Sequence, residues 1–145
     1  VHQLAKPVTQ HFWVNISDDR MDIPGVVEFS NLRPLDRHIV YIPYYMPWDR
    51  ADFAKPDEVF VQESFAHLQK INPALTPQDL IASHVARLKH AQPVCDVGFG
   101  DRIPPARTPI AGLQVADTSF YYPEDRGVSE SIGFARRMVA DLAHA

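Results

Sequence analysis

Residues 38–71 run from His38-Ile39-Val40-Tyr41-Ile42, through a link punctuated by Pro43, Pro47 and Pro56, into Asp57-Glu58-Val59-Phe60-Val61-Gln62-Glu63-Ser64-Phe65-Ala66-His67-Leu68-Gln69-Lys70-Ile71. The first five residues are β-branched and aromatic and read as a strand. From Pro56 the period changes. Asp57 and Glu58 stand where a helix N-terminus favours acid, and Val61, Phe65 and Leu68 recur at spacings of four and three. The pattern predicts a helix of about four turns ending before Pro73, with Ser64 on its exposed side. A strand followed by a helix points to a sheet flanked by helices.

Upstream, His11-Phe12-Trp13-Val14-Asn15-Ile16 alternates with Phe12, Val14 and Ile16 on one face, and Ser17-Asp18-Asp19 ends it. Val26-Val27-Glu28-Phe29-Ser30 follows as a second strand, and a proline-bearing loop around Pro34 leads to the third, so the three suggest an antiparallel meander. The opening Val1-His2-Gln3-Leu4 reads like the middle of something, and with no methionine at its start the chain is expected to be a piece of a longer protein. Downstream, Thr76-Pro77-Gln78-Asp79 offers an N-cap threonine, a proline at the first helical position and an acid at the third, hence a short helical turn. Residues 81–92 fit helix or strand, and strand is preferred. Residues 93–112, with four prolines and three glycines, describe an ordered loop. Leu113-Gln114-Val115-Ala116-Asp117 reads as a short strand, and Val128, Ile132, Ala135, Val139 and Leu142 mark a final helix. The expected class is α+β: an antiparallel sheet with two main helices.

Bulk properties narrow the function classes. A chain of 145 residues with 46% hydrophobic content holds one compact unit by default. Fourteen basic against eighteen acidic residues give a net charge of −4 with no basic run, so neither nucleic acid nor an anionic lipid surface is an expected partner. No stretch approaches the ~18 apolar residues of a membrane span. The one cysteine, Cys95, excludes an internal disulfide framework and reads as a small buried residue. It suits a reducing compartment, and a cytoplasmic location is expected. The seven histidines (His2, His11, His38, His67, His84, His90 and His144) show no helix-spaced metal pair, so no metal is expected. Ser129 and Ser131 lie outside any nucleophile elbow. Tyr41, Tyr44, Tyr45 and Trp48 read as core aromatics more than as cavity walls.

The informative segment is Gly112-Leu113-Gln114-Val115-Ala116-Asp117, an aromatic connection, and then Pro123-Glu124-Asp125-Arg126-Gly127-Val128-Ser129-Glu130-Ser131. A carboxylate at a strand end can accept a hydrogen bond from a sugar or ribityl hydroxyl. The first N–H groups of the following helix can face an anion, and Gly127 would let backbone approach a flat ligand. The same residues also read as an ordinary strand-to-helix connection, with Asp117 capping a turn and Glu124 and Asp125 complementing the helix dipole.

This segment resembles the carboxy-terminal flavin-contacting segment of the amine oxidase superfamily, nearest its protoporphyrinogen oxidase-like bacterial branch. Looser likeness continues through Ala91-Gln92-Pro93-Val94, Ile39-Val40-Tyr41-Ile42-Pro43-Tyr44-Tyr45 and His11-Phe12-Trp13-Val14-Asn15, over almost the whole chain. The resemblance implies a substrate-binding region over 1–112 and the terminal strand and helix of an FAD-binding domain over 113–145. It implies cofactor contacts at Asp117, Arg126, Gly127 and Val128 and substrate contacts at Tyr121 and Tyr122. It also implies a parent enzyme that oxidises a small molecule by hydride transfer to flavin, with no catalytic acid or base assigned here. Many members carry Gly-Glu where this chain has Ala116-Asp117 and Gly-Ala where it has Gly127-Val128, so an amine substrate does not follow. The dinucleotide fingerprint G-x-G-x-x-G does not occur in the 145 residues. Two alternatives stay open: a UDP-galactopyranose mutase-like flavoenzyme, and a non-catalytic binding or oligomerising domain, with a homo-oligomer possible in either.

Overall fold

Five short runs pair as an antiparallel sheet, the two richest in β-branched residues at its middle: β1 (His2–Leu4), β2 (Trp13–Asn15), β3 (Gly25–Glu28), β4 (His38–Tyr41) and β5 (Leu80–Ser83). The strand order is β2-β3-β4-β1-β5. The expected meander is the β2-β3-β4 half of this sheet, and β1 extends it by pairing with β4 on one side and β5 on the other, His2 facing both Val40 and Ser83. Gly25 is fixed by close approach, because a Cβ there would stand 2.7 Å from the Val14 carbonyl oxygen across the β2-β3 pair. The computed structural model describes residues 1–143 and divides into two units, Val1–Lys89 and His90–Ala145, where length alone suggests one. The architecture is α+β, an antiparallel sheet with two main helices.

The helix α2 (Asp57–Ile71) covers the sheet of the first unit. It follows a single helical turn, α1 (Phe29–Leu32). Phe65 and Leu68 of α2 are buried with Leu4, Val26 and Val40 of the sheet and with Val8, Met21, Ile23 and Leu75 from the connections. At ~25 cal/mol per Å² of apolar surface removed from water, this cluster supplies the dominant favourable term of the unit. Asp57 and Glu58 occupy the first turn and Lys70 the last, each on the side the helix dipole favours. Thr76 and Asp79 form a reciprocal capping box around the 3-10 turn Pro77–Asp79, as their spacing predicts.

Three elements differ from expectation, each for a local reason. The strand expected over residues 26–30 stops at Glu28 and turns into α1, because Ser30 Oγ accepts the Ile39 N–H and the Asn31 carboxamide donates to the carbonyls of Thr9 and His11. The strand expected over residues 81–92 is only β5, since its partner β1 is three residues long. Beyond it Arg87 turns back to donate to the carbonyls of Phe53 (2.9 Å) and Lys55 (2.5 Å) and to pair with Asp57. Ser64, expected on the exposed side of α2, is 5% exposed: Phe60, Ser64 and Leu68 lie along the buried stripe.

In the second unit residues 93–112 form the expected loop, with one 3-10 turn at Gly100–Arg102. The expected strand over residues 113–117 is reduced to an isolated bridge, Arg107 to Gln114, supported by the Val115 N–H to the Ala106 carbonyl at 2.9 Å. Pro104, Pro105 and Pro109 on the facing segment have no N–H to extend the ladder. Gly112, at φ +77°, makes the intervening turn. The terminal helix α3 (Val128–Ala143) starts where the periodicity places it.

Glu28 is the polar keystone of the first unit. It is 1% exposed, and its two oxygens accept the N–H of Val8 at 3.0 Å, the N–H of Thr9 at 2.8 Å and the Thr9 hydroxyl at 3.2 Å. Glu28→Ala strands two backbone donors and is expected to cost roughly 3 kcal/mol, whereas Thr9→Ala, which keeps both backbone bonds, costs about 1 kcal/mol or less. Urea unfolding of the two variants checks this; equal losses contradict the role assigned to the carboxylate.

Candidate functional site

The start of α3 is held by an aromatic loop. Phe134 projects from the helix onto Phe120 and Tyr121, at centroid separations of 6.0 and 6.1 Å. The Tyr121 hydroxyl meets Ser131 Oγ at 2.9 Å, and Ser131 Oγ donates to the Gly127 carbonyl at 2.9 Å. A ring buried on one element and hydrogen-bonded to the first turn of another fixes where that turn begins. Tyr121 is therefore buried at 7% exposure and occupied by the fold, where a substrate contact is expected from the resemblance. Tyr122 points the other way. It is half-exposed, stacks edge-on against Phe99 at 5.2 Å and forms part of a cleft of about 270 Å³.

That cleft is lined by Pro93, Cys95, Thr118 and Ser119 with Tyr122-Pro123-Glu124-Asp125-Arg126. It brings together Tyr122 and Arg126 from the expected site, while Asp117, Gly127 and Val128 flank it in sequence without lining it. Cys95 is exposed, where the sequence suggests burial. The Asp117 carboxylate accepts both the N–H and the hydroxyl of Ser119, at 2.8 and 2.6 Å on one oxygen, and these donors hold its carboxyl below the usual carboxylate range. This is an Asx turn, and the other oxygen is left to face solvent or a ligand. The Arg126 guanidinium donates to the Gln92 carboxamide at 2.8 Å, which orients it beside the helix start. The Gly127 N–H turns back to the Asp125 carbonyl at 2.9 Å, so the first helix donors available to an outside acceptor belong to Val128, Ser129 and Glu130.

Glu130 changes the electrostatics expected at this point. Its carboxylate lies against Gly127, in the space a Cβ would fill. An acid at the third helical position favours the positive end of the helix dipole, and the Gly127-x-x-Glu130 spacing carries that signal in the sequence. Ser119 is likewise legible as the second residue after an aspartate. The remaining walls, Pro93, Cys95, Thr118, Glu124 and Asp125, come together through the fold of the loop and have no sequence pattern of their own.

Outside this region, a chain of ion pairs in the first unit links Asp22, Arg50, Asp52, Lys55 and Glu63, all at the surface. Tyr44 packs on Phe60 nearby, and burial pushes its hydroxyl up to about 12. Among the described residues no three His, Cys, Asp or Glu side chains are grouped to hold a metal ion, and His144 lies outside the described residues. No described helix is long and apolar enough to cross a membrane. Comparison with protein-family models, with curated proteins and with solved structures returns no match.

The two adjacent tyrosines separate structure from cleft. Tyr121→Phe is expected to lower stability by about 1 kcal/mol through loss of the hydroxyl bridge to Ser131, with faster amide exchange in the first turn of α3. Tyr122→Ala opens the cleft and leaves that turn protected. Hydrogen exchange resolved to residues 127–134 distinguishes them, and an unaltered first turn in Tyr121→Phe contradicts the anchoring role.

Proposed function

We propose that this chain is the carboxy-terminal portion of an FAD-dependent oxidoreductase of the amine oxidase superfamily, and that the start of α3 faces the flavin. The observation that carries the reading is the grouping at residues 117–131. An oriented guanidinium, Arg126, lines an open cleft, and next to it in sequence lie a carboxylate with one free oxygen, Asp117, and a helix start with unused N–H donors. These are the group types that suit a ring edge which becomes anionic on reduction, because N–H dipoles and a cation stabilise charge that develops there. The sequence likeness over almost the whole chain supports the same assignment.

FAD fits these residues in part. A cleft of about 270 Å³ takes a portion of a ring system and not a dinucleotide, whose diphosphate needs a glycine-rich turn of the kind missing from the 145 residues. Glu130 must also swing away from Gly127 before a flat ring can reach the backbone, and a carboxylate end is free to do so. When bound, FAD supplies a hydride acceptor for a small-molecule substrate. This chain's own residues then have binding roles. Arg126 and the N–H groups of Val128 and Ser129 take the anionic edge, Asp117 accepts a hydroxyl, and Tyr122 walls the cleft; Tyr121 sets the position of all of them through Ser131. A cytoplasmic location belongs to the same proposal.

One observation favours the alternative of an interaction domain. Val128, Ile132, Val139 and Leu142 lie along one side of α3, and each is exposed while the Phe134 side is packed. An apolar stripe of this kind marks a surface that a partner covers. It serves equally as the face that the remainder of a flavoenzyme would cover.

The test uses the full-length protein encoded by the reading frame that contains these residues. Gly127→Asp is expected to reduce flavin content per folded protein at least tenfold, since it adds both bulk and a second carboxylate at the helix start. Ala66→Asp, on the exposed side of α2, retains parental content. Parental flavin content in Gly127→Asp, or a full-length protein that copurifies with no flavin, contradicts the proposal.

A further inference from the structure

His2 is 2% exposed on β1, the interior strand next to the edge strand β5, yet it carries a titratable ring. Its Nε2 lies 2.7 Å from Ser64 Oγ of α2, and its Nδ1 lies 2.8 Å from Ser83 Oγ of β5. Ser64 Oγ in turn stands 2.6 Å from the Phe60 carbonyl oxygen, to which it donates its one proton. A hydroxyl has a single donor, so toward His2 it acts as acceptor, and Nε2 carries the hydrogen. Nδ1 is then the acceptor and the Ser83 hydroxyl donates to it. Two hydrogen bonds thus fix one neutral tautomer and tie three elements together: β1, α2 and the edge strand β5.

Among the described residues no carboxylate is bonded to this ring. Around it stand the Ser64 hydroxyl and the Phe65 ring edge of α2, Ser83 of β5 and, in register on β4, Val40. In the 145-residue chain taken alone, the charged group that bears on it is the adjacent α-amino group of Val1, which repels a proton. Asp57, Glu58 and His84 line a separate cleft of about 390 Å³ beyond Ser83, with Val61, Gln62 and Val85, and none of them hydrogen-bonds the ring. A proton arriving at Nδ1 meets a hydroxyl that must reverse its donor, and places a buried charge with no counter-ion.

The geometry points to His2 as an acid-sensitive latch: in its neutral form it holds β5 to the sheet and to α2, and its protonation frees β5 together with the Ser83–Val85 wall of the adjoining cleft. Burial first, and in the 145-residue chain taken alone the Val1 ammonium after it, lower the His2 ring from 6.5 to about 4. The sign follows from linkage. The opened state exposes the ring and binds a proton near 6.5, whereas the closed state resists it down to about 4. The closed form is therefore fully favoured above 6.5, loses stability as pH falls through the interval, and levels off below about 4.

Two measurements on the 145-residue protein test this. Long-range nitrogen–proton NMR at neutral pH should show His2 protonated at Nε2 only, titrating well below 6; a hydrogen on Nδ1, or titration at 6 or above, overturns the proposal. Amide exchange of residues 80–84, corrected for intrinsic rates, should lose about tenfold in protection for each pH unit below 6.5. His2→Gln, which keeps a donor and an acceptor without the titration, should abolish that slope. A slope that persists in the variant refutes the latch. If the variant does not fold, the tautomer and titration of the unaltered protein decide the matter alone.

Discussion

The first unit depends on removing Leu68 and Phe65 from water against a sheet whose strands are only three or four residues long. Strands of that length form few ladder hydrogen bonds and cannot stand alone. The helix α2 supplies the apolar cover, and polar pins then set the register. Glu28 gathers the chain at Val8 and Thr9, and His2 fastens β1 to its neighbours through two hydroxyls. Each pin is buried and hydrogen-bonded, which is the condition under which a polar group is tolerated in such a place. The second unit solves the same problem with fewer means. One helix, two phenylalanines and a tyrosine define it, and much of the apolar surface of α3 is left outward.

Elements whose information is local could be read from the sequence. The 57–71 helix is specified by its acids at the first turn and its four-and-three spacing, and the Thr76 to Asp79 box by two side chains three residues apart. The β2-β3-β4 meander follows from short alternating runs. What escaped depends on partners distant in sequence. Ser30 ends a strand because it accepts a bond from Ile39, and Leu113–Asp117 fails to be one because its facing segment is rich in proline. Ser64 looks like a surface residue on α2 until a histidine sixty-two positions away requires it.

The candidate site divides the same way. The helix start at Val128 was legible and falls where the pattern puts it, whereas the strand expected to end at Asp117 is reduced to an isolated bridge. Adjacent tyrosines are indistinguishable in sequence, yet Tyr121 is buried under Phe134 and Tyr122 opens on the cleft. Glu130 is the residue that most alters the electrostatics. It stands at the third helical position, so that it both stabilises the helix and sets a carboxylate where the proposed anionic ring edge would approach. A bound ring must displace it, and that displacement would make the helix start report on occupancy.

Amide exchange in residues 127–131 of the full-length protein, compared between flavin-loaded and flavin-stripped samples, is the most direct test of that assignment. The account predicts that flavin slows exchange at Val128 and Ser129 several-fold while residues 80–84 at the same pH are unchanged. Equal exchange at the helix start in the two samples would show that α3 does not face the flavin.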